Sequence, residues 1–428
     1  MNTVTIREYE HIYSKVTNGE TEHSLKHHDF QALQSYCDYL EEKNNTRFFT
    51  LHKDSVQAKQ YVGLIQLRSG SIVEILPKIS KNNKIDEDKK LFLKMLFCLK
   101  EFKFKKSSAA DLGVSRMPLY EIFILMYLDE LQRLLKRGLK SDYISYTDNL
   151  HFYKGKLNIG GHIRYNAAHK ERFYMTYDEF SLDRPENRII KATLLYLQKR
   201  TKSQKNKKTI FQCLAMMESV TPSSVPEKDF AKITVSRNTK EYELLMLWSK
   251  VFLLGESFTT FSGNSNAMSL LFDMNKVFEA YVGKAVKNIF SEYIVTLQEN
   301  SKYLFDKPEM FHLKPDIVVK DGDRNVAILD TKWKRIRSER DISQGDMYQM
   351  YAYAHRYNVP DIWLLYPKTE NGYSGEYKFT STYKFTSNKT ENSFEVNIHM
   401  FFVDVGKIND SIKDLLFCIE NNREQNQL

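Results

Sequence analysis

The sequence predicts an α/β fold of the α+β kind: a β-rich N-terminal module, a helical middle region and a C-terminal mixed sheet flanked by helices. Short apolar segments separated by turns occur first, and two segments with helical spacing follow them. The C-terminal third then shows the order helix, strand, turn, strand, helix, strand. A chain of 428 residues exceeds the usual single-domain range. We therefore predict three domains, over residues 1–110, 111–267 and 268–428.

The N-terminal module is predicted from alternating or continuous apolar runs that are typical of strands. One amphipathic helix, over residues 30–43, lies among them. Arg68, Ser69 and Gly70 form the predicted turn between the last two strands. The predicted strands cover residues 3–13, 47–52, 61–67 and 71–79.

Two segments that carry apolar residues at helical spacing follow these strands, one over 88–102 at the end of the N-terminal domain and one over 118–139 in the middle region. The second helix is predicted to end at Gly138, because glycine caps helix C-termini and the preceding basic residues suit the helix dipole. The charge run at 200–208 predicts an exposed connection between helices.

Two aspartates mark the C-terminal third. Asp316 belongs to an apolar strand-like segment at 313–319, and Asp330 belongs to another at 326–334. The turn-rich segment between them predicts an antiparallel pair, which brings both carboxylates close together. Neighbouring carboxylates repel each other unless a cation lies between them, and Mg²⁺ prefers such oxygen-rich sites.

Lys332 lies two residues after Asp330, so on a strand both side chains point to the same face. Lys334 shares that face by the same period, but it lies roughly 7 Å farther along a strand, so we select Lys332. The alternative is a surface hairpin with ordinary charges. It leaves unexplained why an Asp and a Lys interrupt one face of an apolar strand.

Residues 268–405 resemble the PD-(D/E)xK nuclease superfamily, in which Pro315-Asp316 and Asp330-Thr331-Lys332 match the motif. Glu279, on a predicted helix over 273–290, lies about where the superfamily often has an acidic residue. Gln349 and Tyr353, on a predicted helix over 343–357, match a QxxxY element, and a buried strand is predicted at 362–367.

The resemblance implies a Mg²⁺-dependent nuclease, with Mn²⁺ as a substitute. Asp316 and Asp330 would ligate the metal, and the Thr331 carbonyl would add a ligand. Lys332 would act on the attacking water, and Gln349 would position the lysine or a phosphate oxygen. Glu279 is either part of the metal site or a solvated helix charge, and Tyr353 is either a site residue or part of the core.

The middle region resembles the McrC family of modification-dependent restriction systems. It contains Lys154-Gly155-Lys156, then the acidic pair Asp178-Glu179, then Asn187-Arg188. The resemblance covers most of the chain and extends to LlaJI-type relatives. It implies a separate AAA+ GTPase of the McrB type, bound through residues 111–267. It also implies that two nuclease domains pair on double-stranded DNA.

Composition fits a protein that acts on polyanions. Lys and Arg number 63 against 54 Asp and Glu, which gives a net charge of +9 and a pI near 9.0, and such a bias attracts nucleic acid. The four dispersed cysteines predict neither a disulfide framework nor a zinc site. A polar N-terminus and the lack of a long apolar run predict a cytoplasmic protein with no membrane contact. No P-loop motif occurs.

The sequence therefore predicts the Mg²⁺-dependent DNA endonuclease subunit of a McrBC-like restriction system, which stimulates and depends on its GTPase partner. One alternative is a regulatory subunit that chiefly activates a partner motor. Another is a stand-alone DNA exonuclease, which would leave the long N-terminal half unexplained.

Overall fold

A computed structural model of the chain shows the mixed α/β fold that the sequence predicts. It packs into two compact units, one of residues 1–105 with 270–428 and one of residues 106–269. The first unit thus joins the predicted N-terminal and C-terminal domains, and the division into three domains stays a prediction. The structure describes residues 3–15, 23–44, 47–67, 69–78, 84–99, 117–233, 237–254, 267–369, 377–387 and 390–425.

The N-terminal part of the first unit contains two sheets, with strand orders β1-β7-β6-β11 and β3-β2-β5-β4. Gly63 of β6 has φ +143°, and a Cβ there would lie 1.8 Å from the Leu270 carbonyl oxygen of β11. The close approach of these strands therefore requires glycine. The elements are β1 Thr3–Arg7, β2 His11–Ser14, β3 Ser24–Leu25, α1 His27–Asn44, β4 Phe49–Leu51, β5 Ser55–Ala58, β6 Tyr61–Leu67, β7 Ile72–Leu76, α2 Ile85–Leu96 and β11 Ala267–Asp273.

The segment predicted as one strand over residues 3–13 is two strands in different sheets. β1 pairs in parallel with β7, whereas β2 pairs antiparallel with β5. The chain turns between them at Tyr9, which has φ +66°. Arg68 of the predicted turn and residues 100–102 of a predicted helix lie outside the described residues.

The second unit combines a helical core with a small sheet of strand order β8-β10-β9. Its longest helix ends at Gly138, as predicted. The charge run at 200–208 is only partly a connection, because its second half begins a helix whose N-terminus is capped by Ser203. The elements are α3 Leu119–Arg137, β8 Asp142–Leu150, β9 Lys156–Leu157, α4 Ile159–Asn166, β10 Phe173–Ser181, α5 Pro185–Arg200, α6 Gln204–Met216, α7 Pro226–Lys232, a 3₁₀ helix Arg237–Tyr242 and α8 Glu243–Leu254.

The C-terminal part of the first unit is a mixed sheet of order β12-β15-β16-β17-β19-β18. β15 and β16 are antiparallel, whereas β16, β17 and β19 are mutually parallel. Every residue of β17 is buried, as expected for a strand covered on both faces. The elements are α9 Met274–Ile289, β12 Ile294–Leu297, β13 Lys302–Asp306, β14 Glu309–Leu313, β15 Ile317–Asp321, β16 Arg324–Thr331, a 3₁₀ helix Glu339–Asp341, α10 Gln344–Tyr357, β17 Asp361–Pro367, β18 Tyr377–Ser387, β19 Thr390–Val403 and α11 Ile408–Gln425.

Helix α10 covers this sheet through one apolar face. Met350, Tyr353, Ala354 and Tyr357 recur at the spacing of a buried helical stripe and join one core cluster with β15, β16 and β17. The helix therefore presents its neighbouring polar side chains to the ends of these strands. No helix in the described ranges is long and apolar enough to cross a membrane.

Candidate metal-dependent nuclease site

The antiparallel pairing of β15 with β16 brings the two predicted aspartates together. Ile317 pairs with Leu329, so Asp316, one residue earlier, faces Asp330, one residue later. Thr331, the residue after Asp330, connects the two strands here, because its backbone N–H and its Oγ1 both donate to Asp316 Oδ2, at 2.8 and 2.6 Å. Asp330 is only 1% exposed, so the two carboxylates share a largely buried site.

Lys332 and Gln349 complete this cluster. Lys332 Nζ lies 2.7 Å from Asp330 Oδ2 and donates to Gln349 Oε1 at 3.2 Å. Gln349 Nε2 in turn donates to the hydroxyl of Tyr353, one helical turn along α10, at 2.7 Å. The structure thus brings together the predicted lysine and both residues of the QxxxY element.

The strand that carries Asp330 is shorter than predicted. β16 ends at Thr331, and after the hydrogen bond from Lys332 N to the Leu365 carbonyl the chain turns, with Lys334 N donating to the Lys332 carbonyl. Lys334 therefore does not repeat along the strand face of Asp330 but pairs with Asp346 on α10, at 2.6 Å. The selection of Lys332 over Lys334 rests on this turn rather than on distance along a strand.

Burial and mutual repulsion disturb the titration of these groups. Burial and then the charge of Asp316 raise the pKa of Asp330 to about 7, against the opposing effect of Lys332. Burial also raises the pKa of Asp316, against the hydrogen bonds from Thr331. Burial by itself lowers the pKa of Lys332, but the neighbouring Asp330 carboxylate outweighs it, and the pKa lies above its usual value.

Glu279 lies at the edge of this site. Burial and the nearby charge of Asp316 raise the pKa of Glu279, and its carboxylate accepts a hydrogen bond from Gln298 Nε2. Gln298 also donates its backbone N–H to the Asp316 carbonyl at 2.8 Å, so it links the two acids. Across the described residues, no three His, Cys, Asp or Glu side chains come close enough together to hold a metal ion.

The pair of aspartates nevertheless fits Mg²⁺. Asp330 Oδ2 is buried and, despite the close ammonium, has no partner with hydrogen-bond geometry among the described residues. A buried oxygen of this kind and a second carboxylate that repels it together favour a hard cation. Mg²⁺ characteristically uses one or two carboxylates and keeps several waters, so a third acidic ligand is not required. Asp316, Asp330 and the Thr331 carbonyl are the groups that could hold it.

The basic motif of the second unit forms a different kind of cluster. Lys154 pairs with Glu179 on the sheet surface, and its Nζ lies 4.2 Å from the centre of the Tyr177 ring. Gly155 has φ +74°, and a Cβ there would lie 2.6 Å from the Thr176 carbonyl oxygen. The glycine therefore allows the chain to pass close to β10.

Asn187 and Arg188 of the motif contact other residues of the same unit. Asn187 Nδ2 donates to the carbonyls of Lys140 and Leu182, at 3.1 and 2.7 Å. Arg188 pairs with Asp183 at 2.5 Å. Asp183 therefore binds an arginine of α5, and the N-cap of this helix is Arg184.

Large apolar side chains are exposed around the small sheet of the second unit. They lie on β8, α4, β10 and the segment after β8. They are Tyr143, Phe152, Tyr153, Ile159, Ile163, Tyr165 and Phe180. Two of them are in contact, because the ring centres of Tyr143 and Phe180 lie 5.2 Å apart.

Comparisons with known proteins identify the family. A family model described as "McrBC 5-methylcytosine restriction system component" matches residues 56–367, well over half of the chain. The chain belongs to this family. The McrC resemblance predicted from the sequence motifs is thereby confirmed. A search of curated proteins gave no match.

Two solved structures share the fold. One is described as a "refined half-complex from tetradecameric assembly of Thermococcus gammatolerans McrB AAA+ hexamers with bound McrC". Its matching chain is 19% identical, with a TM-score of 0.70, and the match covers 98% of this chain and 100% of that chain. A cryo-EM structure of the Thermococcus gammatolerans McrBC complex has a TM-score of 0.51 and 20% identity, covering 68% of this chain and 89% of its own.

Proposed function

We propose that this member of the McrBC family is the nuclease subunit of a restriction system and hydrolyses phosphodiester bonds of double-stranded DNA in the presence of Mg²⁺. The observation that carries the proposal is the buried contact of Asp330 with Lys332, beside Asp316 and under Gln349. Burying charges in an otherwise apolar sheet costs stability, and perturbed ionisable groups of this kind cluster at functional sites.

The metal would be held by Asp316, Asp330 and the Thr331 carbonyl. When bound, Mg²⁺ would acidify an attacking water and neutralise phosphate charge, and Mn²⁺ would replace it because both ions accept oxygen ligands. Thr331 orients Asp316 through two hydrogen bonds. We assign Glu279 an outer role, in which Gln298 holds its carboxylate near Asp316.

Lys332 supplies the positive charge of the site. Its ammonium is aimed by the Asp330 carboxylate on one side and by the Gln349 amide on the other. Tyr353 fixes the Gln349 amide in turn. A fixed ammonium at this place stabilises negative charge that develops on the phosphate, without the reorganisation that water would need.

We also propose that the chain works with an AAA+ GTPase partner of the McrB type. The proteins that share its fold were solved as complexes of McrB AAA+ hexamers with McrC, and this sequence contains no P-loop of its own. We assign this contact to the exposed apolar side chains around the small sheet of the second unit. A cut through both strands of a duplex needs two sites, so we expect two nuclease domains to pair.

The decisive experiment compares wild type with Asp330→Asn in the presence of the partner, GTP and DNA. Cleavage should require Mg²⁺ or Mn²⁺. The variant should lose roughly 1000-fold in single-turnover rate, since the lost charge stabilisation of several kcal/mol corresponds to about 1.4 kcal/mol per tenfold. GTPase stimulation should not change. Asp321→Asn is the matched control, because Asp321 lies on the same hairpin but pairs with Arg423 at its exposed end.

Three other results would each contradict part of this proposal. Cleavage by Asp330→Asn at the wild-type rate means that the site is assigned to the wrong residues. A wild-type chain that stimulates the GTPase but never cuts is a regulatory subunit. Efficient cleavage by the isolated chain, without partner or nucleotide, identifies a stand-alone exonuclease.

A further inference from the structure

Trp333, directly after Lys332, is anchored in the N-terminal part of the first unit. Its indole Nε1 donates to Glu8 Oε1 at 2.9 Å, and both side chains are buried. The other oxygen of the carboxylate, Oε2, accepts a hydrogen bond from Lys78 N at 3.3 Å. These residues are 325 positions apart in sequence, so no local pattern predicts their contact.

A second contact holds the same segment. The guanidinium of Arg335 donates to the Lys78 carbonyl. Glu8 directly follows β1 and Lys78 lies just beyond β7, and these strands are parallel neighbours. The Glu8 backbone N–H donates to the Leu76 carbonyl at 3.0 Å. The residues that follow the C-terminal ends of β1 and β7 thus hold the chain at positions 333 and 335 through hydrogen bonds.

The Trp333 ring also touches the helix that carries Glu279. Its centre lies 5.2 Å from that of Phe278, the residue before Glu279 on α9, and Phe278 is fully buried. The single indole therefore contacts the N-terminal sheet and α9, while its backbone continues directly from Lys332.

Lys332 depends on such an anchor because it makes the last backbone hydrogen bond to the sheet, and the chain leaves the sheet directly after it. β16 ends at Thr331, and the Lys332 N–H bond to the Leu365 carbonyl is followed by a turn. Beyond that point, the packing of Trp333 determines the direction of the backbone and hence the position from which the lysine side chain starts.

We propose that Glu8 is a positioning residue for the nuclease site, and that its carboxylate fixes Trp333 and thereby the direction in which Lys332 reaches Asp330 and Gln349. The inference rests on the proposed function, since it assigns a role at that same site. In this arrangement the N-terminal sheet helps to position Lys332, and a movement of that sheet would move the lysine. Burial raises the pKa of Glu8 to about 7, against the hydrogen bonds of Trp333 and Lys78. If this side chain only filled space, an apolar side chain would stabilise the fold more than a buried carboxylate does.

The test uses the full chain with its AAA+ partner and a DNA duplex, and measures single-turnover cleavage beside DNA affinity. Glu8→Ala and Trp333→Phe should slow cleavage roughly 10- to 100-fold, the loss expected from a displacement near 1 Å. DNA affinity should not change. Glu8→Gln should restore most of the rate, because the amide oxygen still accepts from the Trp333 indole. A merely structural role would not separate Glu8→Gln from Glu8→Ala in rate at equal affinity.

Trp363→Phe is the matched control. Trp363 lies on β17 of the C-terminal sheet, and its buried Nε1 has no hydrogen-bond partner among the described residues. Replacing this tryptophan by phenylalanine therefore removes no indole hydrogen bond. This variant should cut at the wild-type rate. Cleavage at the wild-type rate by Glu8→Ala, or an equal loss in Glu8→Ala and Glu8→Gln, overturns the proposal.

Hydrogen exchange of the isolated chain gives a readout that does not need cleavage. Glu8→Ala should raise exchange in peptides that cover residues 332–337 and leave β17 peptides unchanged. If wild type cuts no DNA, the proposed function fails, and exchange alone decides the anchor: faster exchange at 332–337 supports it, and unchanged exchange overturns it.

Discussion

Two charged clusters that the sequence marks alike differ sharply in their surroundings. In the C-terminal sheet, Asp330 is 1% exposed and contacts Lys332. In the second unit, Lys154 and Glu179 form a pair whose side chains are 38% and 47% exposed. Both clusters contain an ion pair, but water is largely excluded from the first and reaches both members of the second.

The difference separates charges that cost stability from charges that do not. Burial raises the pKa of both aspartates, and the Asp330 carboxylate holds the pKa of Lys332 above its usual value against the effect of burial. Such perturbed groups gather at functional sites. An exposed pair contributes little to stability, because water screens it and both side chains lose freedom. Spacing in the sequence cannot distinguish the two cases, since it carries no information on burial.

The strongest test of the buried cluster is Lys332→Ala. We expect single-turnover cleavage to fall by roughly 100-fold or more, as when one fixed donor to a developing negative charge is removed, while DNA affinity stays nearly unchanged. Rapid-quench cleavage and a binding titration at several salt concentrations, with the partner present, measure both quantities.

Lys334→Ala is the control for Lys332→Ala, because Lys334 is exposed and pairs with Asp346. It should cut at nearly the wild-type rate and lose at most a modest, salt-dependent part of its DNA affinity. An inactive Lys334→Ala beside an active Lys332→Ala would show that the lysine of the site has been chosen wrongly.

The sequence predicts that the two aspartates lie close together, but it does not predict the long-range contacts around them. The approach of Asp316 to Asp330 follows from two apolar strands and one turn, all local features, and the link from Gln349 to Lys332 agrees with a motif. The end of β16 at Thr331 could not be predicted this way, because the strand-like pattern continues to Lys334, whereas Trp333 makes its contacts with distant segments.

Residues from distant segments were missed for the same reason. Glu8 meets Trp333 across 325 positions, and Gln298 links Glu279 to Asp316 from a loop without a motif. The long-range pairing of β6 with β11 was likewise not predicted. By contrast, the amphipathic helix α10 could be predicted almost completely, because its buried stripe repeats every three or four residues.

A second prediction tests the cost of ionising Asp330, which arises from burial and from the neighbouring Asp316, in metal-free protein. The pKa of Asp330 is raised to about 7 from 3.8, so between these values the folded state binds more protons than the unfolded state. The free energy of unfolding must therefore fall as the pH rises through this window. Asp330→Asn removes the effect and should melt a few degrees above wild type at pH 8, with the difference vanishing near pH 4.

Thermal unfolding in EDTA from pH 4 to pH 8 measures this difference, and Glu8, whose pKa is also raised, contributes alike to both proteins. Added Mg²⁺ should stabilise wild type at pH 8 and leave Asp330→Asn nearly unchanged, because a ligand that binds only the folded state raises its stability. A variant that melts below wild type at pH 8 would show that the contact of Asp330 with Lys332 outweighs the cost of ionising the buried aspartate.

The smallest effect is expected at the exposed cluster. Lys154→Ala, Glu179→Ala and the double variant should each change the melting temperature by less than about 2 °C, with no coupling between them beyond error. The Lys154–Glu179 contact raises the pKa of Lys154, but a pair this exposed converts little of that into stability. Melting curves at low and high salt are the measurement, because an exposed pair weakens with salt. A coupling that persists in high salt would mean that this pair, too, is shielded from water. Unchanged melting together with weaker stimulation of the partner GTPase would place Lys154 on the surface that contacts the partner. The Lys154-Gly155-Lys156 motif would then bind the partner, whereas Asp316 and Asp330 would act on the DNA.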